Sequence, residues 1–146
     1  MIRNVVVVGA SLAGLRAVET LRTGGFDGSV TVIGDEQHLP YDRPPLSKRL
    51  LSGEWEPDRI ALRKPEDMGT LDVTWRQGVA AVGLDLDQQS VALADGSSVS
   101  FDGLIVATGA TARQLPDQER HDHVVCLRTL DDALALRSRL VGGRKR

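Results

Sequence analysis

A chain of 146 residues is long enough for one domain with a substantial core and short for a two-domain enzyme. With 41% hydrophobic and 26% charged residues it has the make-up of an ordinary globular protein, and a formal net charge of −2 without a basic stripe argues against a nucleic-acid partner. The single cysteine, Cys126, excludes an intramolecular disulfide and a cysteine metal cluster, and no apolar stretch reaches membrane-spanning length, so a cytoplasmic location with no membrane partner is expected.

The first element is an unbroken apolar run, Val5 to Val8, without the alternation of a half-exposed strand. It predicts a parallel strand covered on both faces. The turn Gly9-Ala10-Ser11-Leu12-Ala13-Gly14 follows and opens a helix, with Leu12, Leu15, Val18 and Leu21 at helical spacing and Gly24-Gly25 at its end. Gly9 can take a tight turn without a Cβ penalty, and Gly14 lets the helix approach the strand closely. The N–H groups at the helix start form a seat for a pyrophosphate. The pattern departs from G-x-G-x-x-G at Ser11, a residue small enough to keep a phosphate close.

Val30 to Ile33 predicts a second strand, ending at Gly34-Asp35-Glu36. In a Rossmann βαβ unit a carboxylate about 20 residues beyond the glycines accepts hydrogen bonds from a ribose, and the spacing fits Asp35 and Glu36 equally. The next stretch, Gln37 to Lys48, holds three prolines, which make it stiff, and it carries Arg43 and Lys48 as candidate ligand contacts. A short helical piece is expected from Leu46 to Leu51.

Ile60 to Leu62 is expected as a short strand and Lys64 to Asp67 as the start of a helical turn. Val73 to Arg76, Val79 to Asp85, Ser90 to Leu93 and Val99 to Phe101 then predict an antiparallel meander over about 73–101, with Asp95-Gly96 as its clearest hairpin signal. Leu104 to Ala107 is a second unbroken apolar run. It is expected to rejoin the parallel sheet, placing Thr108 and Gly109 at its carboxyl end, where open α/β sheets bind ligands.

Residues 110 to 123 form a polar loop with Arg113, His121 and His123, whose two histidines are better read as solvated than as metal ligands; no metal is expected. Val124 to Leu127 looks like a strand that buries Cys126 as a small hydrophobe. Thr129 and Asp132 resemble a capping box ahead of a helix from Leu130 to Val141, with Leu130, Ala133, Leu134 and Val141 on its apolar stripe. Gly142-Gly143 stops that helix, and Arg144-Lys145-Arg146 reads as a linker or tail.

These residues together resemble the N-terminal half of the FAD-dependent ferredoxin and rubredoxin reductases of the putidaredoxin reductase type. The resemblance runs over nearly the whole chain and rests on VVVVGASLAG, on VIGDE followed by YDRPPLSK, on FDGLIVATGA and on LRTLDDALALR. It implies an α/β fold: a Rossmann-like parallel sheet with an inserted antiparallel β-meander, the incomplete FAD/NAD(P)-binding fold. Residues 1–115 would be a partial FAD-binding domain. Residues 116–146 would be a linker strand and helix leading to an absent NAD(P)H-binding domain.

By the same resemblance, Gly9, Ser11, Leu12, Ala13 and Gly14 hold the FAD pyrophosphate, and Asp35 or Glu36 the adenosine ribose. Arg43, Pro44 and Lys48 reach the flavin, with Lys48 as the catalytic residue at its redox-active edge. Ala81 contacts the adenine end, while Ala107, Thr108, Gly109 and Arg113 pass the cofactor at the end of the sheet. The implied activity carries electrons from NAD(P)H through FAD to a ferredoxin or rubredoxin-like iron–sulfur protein. No cysteine lies near the PPLSK loop, so electrons are expected to leave the flavin without a dithiol. Such reductases continue into domains that these 146 residues do not include, so the chain alone is not expected to complete turnover. The competing reading is a catalytically incomplete nucleotide-binding or interaction module of the same fold; a nicotinamide-binding Rossmann protein is disfavoured by the PPLSK loop.

Overall fold

The valine run at the start forms a strand, Asn4–Val8 (β1), followed by the helix Leu12–Thr23 (α1) and the strand Ser29–Gly34 (β2). The computed structural model describes residues 1–141 and divides them into two units: Met1–Tyr41 with Leu62–Gly109, and Asp42–Ala61 with the chain from Ala110 onward. The first unit continues with the helical turn Pro65–Met68 (α2) and the strands Thr74–Gln77 (β3), Ala81–Asp85 (β4), Ser90–Leu93 (β5), Ser98–Ser100 (β6) and Gly103–Val106 (β7). Its main sheet is entirely parallel, in the order β3-β2-β1-β7. A second, antiparallel sheet has the order β4-β5-β6. The expected combination of a parallel sheet and an inserted meander is thus present.

The valines of β1 show no alternation because both of their faces are covered. Val5 and Val7 pack in one cluster with Leu15 and Val18 of α1, Val30 and Val32 of β2, and Met68 and Leu71. Val6 faces the other way and packs with Ile33, Val91, Leu93 and Phe101. One face of the sheet is therefore closed by a helix and the other by the meander. Full burial of each valine contributes on the order of 2 kcal/mol.

Two polar clasps close this unit. The Asp102 carboxylate accepts the backbone N–H groups of Arg3 and Asn4, each at 2.8 Å, while its own N–H donates to the Asn4 carbonyl. This fixes β1 against the turn that enters β7, and the two N–H donors hold the Asp102 carboxyl below its usual range. At the other end of α1 the Arg22 guanidinium donates to the carbonyls of Leu71, Phe26, Gly28 and Asp72 at 2.6 to 2.9 Å.

Four sequence expectations are corrected. Residues 74–77 belong to the main sheet, pairing in parallel with β2, so the meander begins at Ala81 and not near residue 73. Leu12 does not join the apolar stripe of α1: it is 48% exposed, because the first turn of the helix stands beyond the end of β1. The segment expected as a strand at Ile60 to Leu62 is entered by a 3-10 turn, Pro57–Ile60, as a proline at its first position favours. Val124 to Leu127 forms no strand; Val124 and Val125 are exposed, and Cys126 is half-buried beside the Gln118 amide.

In the second unit the helical piece expected from Leu46 to Leu51 is instead a 3-10 turn, Pro44–Ser47, and the last described element is the helix Leu130–Val141 (α3). The capping box at its start is real. The Asp132 N–H donates to the Thr129 hydroxyl at 3.1 Å, and the Asp132 carboxylate accepts the Thr129 and Arg128 N–H groups at 2.8 and 2.9 Å. Burial would raise the Asp132 carboxyl, but these donors outweigh it and hold it low. Arg137 of α3 pairs with Glu56 at 2.7 Å, and Arg49 and Arg59 lie over the Trp55 ring at 4.7 and 5.3 Å. Leu130 and Ala133 of the expected stripe are buried and Leu134 is half-buried. Gly142-Gly143 and Arg144-Lys145-Arg146 lie outside the described residues. Among those described, no helix is long and apolar enough to cross a membrane.

Candidate functional site

Because β1, β2 and β7 run parallel in adjacent positions, the segments that follow them emerge on one edge of the sheet. Two backbone links draw these ends together. Gly9 N–H donates to the Ile33 carbonyl at 2.8 Å, and Ala107 N–H donates to the Val8 carbonyl at 2.7 Å. Across from Gly9, the Ala107 carbonyl leaves no room for a side chain: a Cβ on Gly9 would lie 2.1 Å from that oxygen, and Gly9 has φ +123°. Glycine is required there on both steric and conformational grounds.

Above this crossing begins α1. Ser11 occupies its N-cap position in extended backbone, but its hydroxyl caps no N–H, and the first turn carries no acidic side chain. The first-turn N–H groups, Leu12 to Gly14, are those for which a helix has no acceptor of its own. They combine with the positive end of the helix dipole to favour an anion. The residues Gly9, Ser11, Leu12, Ala13 and Gly14 thus fit a pyrophosphate, with exposed Leu12 and Ala13 at the mouth of the turn.

At the end of β2 the two candidate carboxylates differ. Asp35 is exposed. Glu36 is half-buried, its carbonyl accepts the Gly78 N–H at 3.0 Å, and its carboxylate accepts the Tyr41 hydroxyl at 2.5 Å. The Tyr41 ring is buried and meets His38 edge-on at 6.3 Å between centroids. The sequence pattern gives Tyr41 no role; the signal it offers is a phenol five residues beyond the acid, next to a proline that restrains the chain.

Ala81 opens β4, pairs with Leu93, and is followed by an irregularity in the ladder before Gly83. The Val79 N–H donates to the Gly34 carbonyl at 3.1 Å, which ties the entry to this strand to the end of β2. Thr108 and Gly109 are exposed just past β7. So the first unit brings the glycine turn, Asp35, Glu36, Ala107 and Thr108 to one edge, with the segment before Ala81 tied to it.

The remaining candidates belong to the second unit. Arg43 stands at the N-cap of the 3-10 turn and donates to the Arg128 carbonyl at 2.8 Å. Pro44 takes the first position of that turn, where its lack of an N–H costs nothing. Lys48 ends it, exposed, with Nζ 3.3 Å from the Pro44 carbonyl. Arg113 is exposed in the polar loop. A cavity of about 370 Å³ in this unit, lined by Gln114, Gln118, His121 and Arg139 among others, holds none of the expected site residues. Among the described residues no group of three or more His, Cys, Asp or Glu is arranged to hold a metal ion.

Residues 3–146 match the family described as pyridine nucleotide-disulphide oxidoreductase. The chain belongs to this family. Among its curated relatives are the ferredoxin–NAD(+) reductase subunit of the benzene 1,2-dioxygenase system of Pseudomonas putida, 37% identical over 139 residues, and the rubredoxin–NAD(+) reductase of the same organism, 38% identical over 139 residues. Each alignment takes in 94% of this chain, but only 33% and 36% of the respective relative. Among solved structures, that of the covalent putidaredoxin reductase–putidaredoxin complex superposes with a TM-score of 0.88 at 34% identity, covering 94% of this chain and 34% of the matched one. The chain therefore spans about a third of the length of the proteins it matches, and within that third it keeps the family's fold.

Proposed function

We propose that this chain binds FAD and forms the FAD-binding portion of an NAD(P)H-dependent ferredoxin or rubredoxin reductase. The observation that carries the reading is the start of α1: an uncapped helix N-terminus standing over a turn in which Gly9 and Gly14 leave no space for a Cβ, next to a half-buried carboxylate at the end of β2. A dinucleotide needs both parts, one for its pyrophosphate and one for its ribose. The YDRPPLSK stretch, on which the resemblance to FAD-dependent reductases rests, supports flavin over nicotinamide as the group held by this turn.

When bound, FAD would supply the redox chemistry, taking a hydride from a nicotinamide and releasing electrons singly. This chain's residues would bind and orient it. The α1 turn would hold the pyrophosphate, the carboxylate at the end of β2 the adenosine ribose, and backbone near Ala81 the adenine end. Ala107, Thr108, Gly109 and Arg113 are assigned to the cofactor, and Arg43, Pro44 and Lys48 to the flavin side, on the family pattern. The Lys48 ammonium would favour negative charge on the reduced flavin. NAD(P)H as donor, an iron–sulfur protein as acceptor and a cytoplasmic setting complete the reading.

Titration of the purified chain with FAD, followed by flavin fluorescence, tests it. Saturable binding that is lost in Gly9→Ala is the expected result. Absence of binding, or tighter binding of NADH than of FAD, would overturn it.

A further inference from the structure

The second unit holds a cleft that the proposed function does not use. A cavity of about 370 Å³ and another of about 320 Å³ are both lined by Gln114, Gln118, Val125 and Arg139, so the two form one groove. Each falls in the range of about 300–1,000 Å³ typical of small-molecule sites. One wall is a face of α3, where Asp132, Ala135, Leu136 and Arg139 follow one another at helical spacing. The other is the polar loop, which carries the 3-10 turn Gln118–Arg120.

Charge and polarity are unevenly placed in this groove. The Arg139 guanidinium lines both halves, and among the described residues it makes one hydrogen bond, to the Asp122 carbonyl at 3.4 Å, and no ion pair. Asp132 is no counter-ion to it, because the Asp132 carboxylate accepts the Thr129 and Arg128 N–H groups. The Gln114 side-chain amide has no hydrogen-bond partner among the described residues. Beyond Arg139 the second half offers the apolar surfaces of Val125, Ala135 and Leu136.

We propose that this groove is a binding site for a small organic monocarboxylate, whose carboxylate pairs with Arg139 and whose apolar chain lies along Val125, Ala135 and Leu136. The planar fork of a guanidinium matches a carboxylate in two parallel hydrogen bonds, and the Gln114 amide supplies a further donor to the same groove. Withdrawing the chain from water against the apolar half adds to the affinity. A second negative charge on the ligand is selected against, since Asp122 lines one half of the groove and Asp132 the other. The site belongs wholly to the second unit and does not depend on the FAD-binding reading.

The test is a two-dimensional amide NMR titration of the full chain at low ionic strength, where an exposed guanidinium is least screened, with hexanoate, hexanol and adipate as probes. Hexanoate is expected to give saturable shifts confined to the residues lining the groove, with hexanol and adipate binding at least about tenfold more weakly. Arg139→Gln should weaken hexanoate about tenfold or more, as loss of hydrogen bonds between charged groups does, and leave hexanol as it was. Ala135→Trp should block hexanoate by filling the apolar half, and because Ala135 is exposed its thermal melting should match the wild type. Absence of saturable shifts with hexanoate, an affinity unchanged by Arg139→Gln, or adipate binding as tightly as hexanoate would overturn the proposal. Each of those results leaves the proposed function standing, since FAD titration is a separate measurement.

Discussion

A Cβ built on Gly14 would lie 1.9 Å from the carbonyl oxygen of Gly9. The obstacle is backbone at the crossing of the first strand and helix, so no side-chain rearrangement relieves it. Gly14→Ala is expected to cost at least about 2 kcal/mol of stability, or to displace the start of α1, because the contact is far inside van der Waals distance. Urea denaturation measures the first outcome and loss of FAD affinity the second. A variant with wild-type stability and wild-type affinity would show that the turn tolerates a methyl group.

Arg22 joins the end of α1 to two separate loops. Its guanidinium satisfies four backbone carbonyls, its side chain is only 17% exposed, and it lies 5.8 Å from the Phe26 ring centroid. Arg22→Met keeps the apolar stem and removes every donor. It should destabilise the fold by about 3 kcal/mol, since partly buried carbonyls lose charge-assisted bonds. Arg22→Lys should recover little of this, because an ammonium cannot reproduce the planar fork. Chemical denaturation of the two variants decides it.

The two N–H donors to Asp102 lower its pKa in the folded chain, which makes stability depend on pH in a defined direction. The carboxylate contributes in full above the ordinary aspartate value of about 3.9, and its contribution is lost as pH falls below that toward the lowered folded value. Asp132, with donors from Thr129 and Arg128, acts in the same sense, and so does Glu19, where Arg16 and Arg63 outweigh the effect of burial. Thermal melting should therefore show stability falling through this acid range. Asp102→Asn should melt lower at neutral pH and lose less on acidification than the wild type.

Lys48 offers a test of the flavin assignment that is independent of folding. Its side chain is exposed and hydrogen-bonds to the Pro44 carbonyl at 3.3 Å, so Lys48→Met should leave thermal stability within about 0.5 kcal/mol. If the ammonium stands by the reduced flavin, its removal should lower the flavin midpoint potential while changing FAD affinity little. A collapse of affinity in a well-folded variant, or an unchanged potential, would remove Lys48 from that role.

Local signals carried much of the reading. The valine run, the glycine turn, the Thr129–Asp132 capping box and the Asp95-Gly96 hairpin each depend on a few neighbouring residues, and each is present in the fold. The expectations that failed depend on partners distant in sequence. The β-rich stretch near residue 74 has the same composition whether it joins a meander or the main sheet. Its place is set by pairing with β2 some 40 residues earlier. Val124 to Leu127 has a strand-like composition, but among the described residues no neighbouring strand pairs with it, and composition alone does not make a ladder.

The sequence by itself determined that this chain is an α/β protein with a glycine turn between its first strand and helix, because strand burial, turn sterics and helix capping are written into short spacings. Only the tertiary structure decided which carboxylate at the end of β2 is held in place. Asp35 and Glu36 are adjacent and chemically alike, and what separates them is a buried phenol that the fold brings back to one of them.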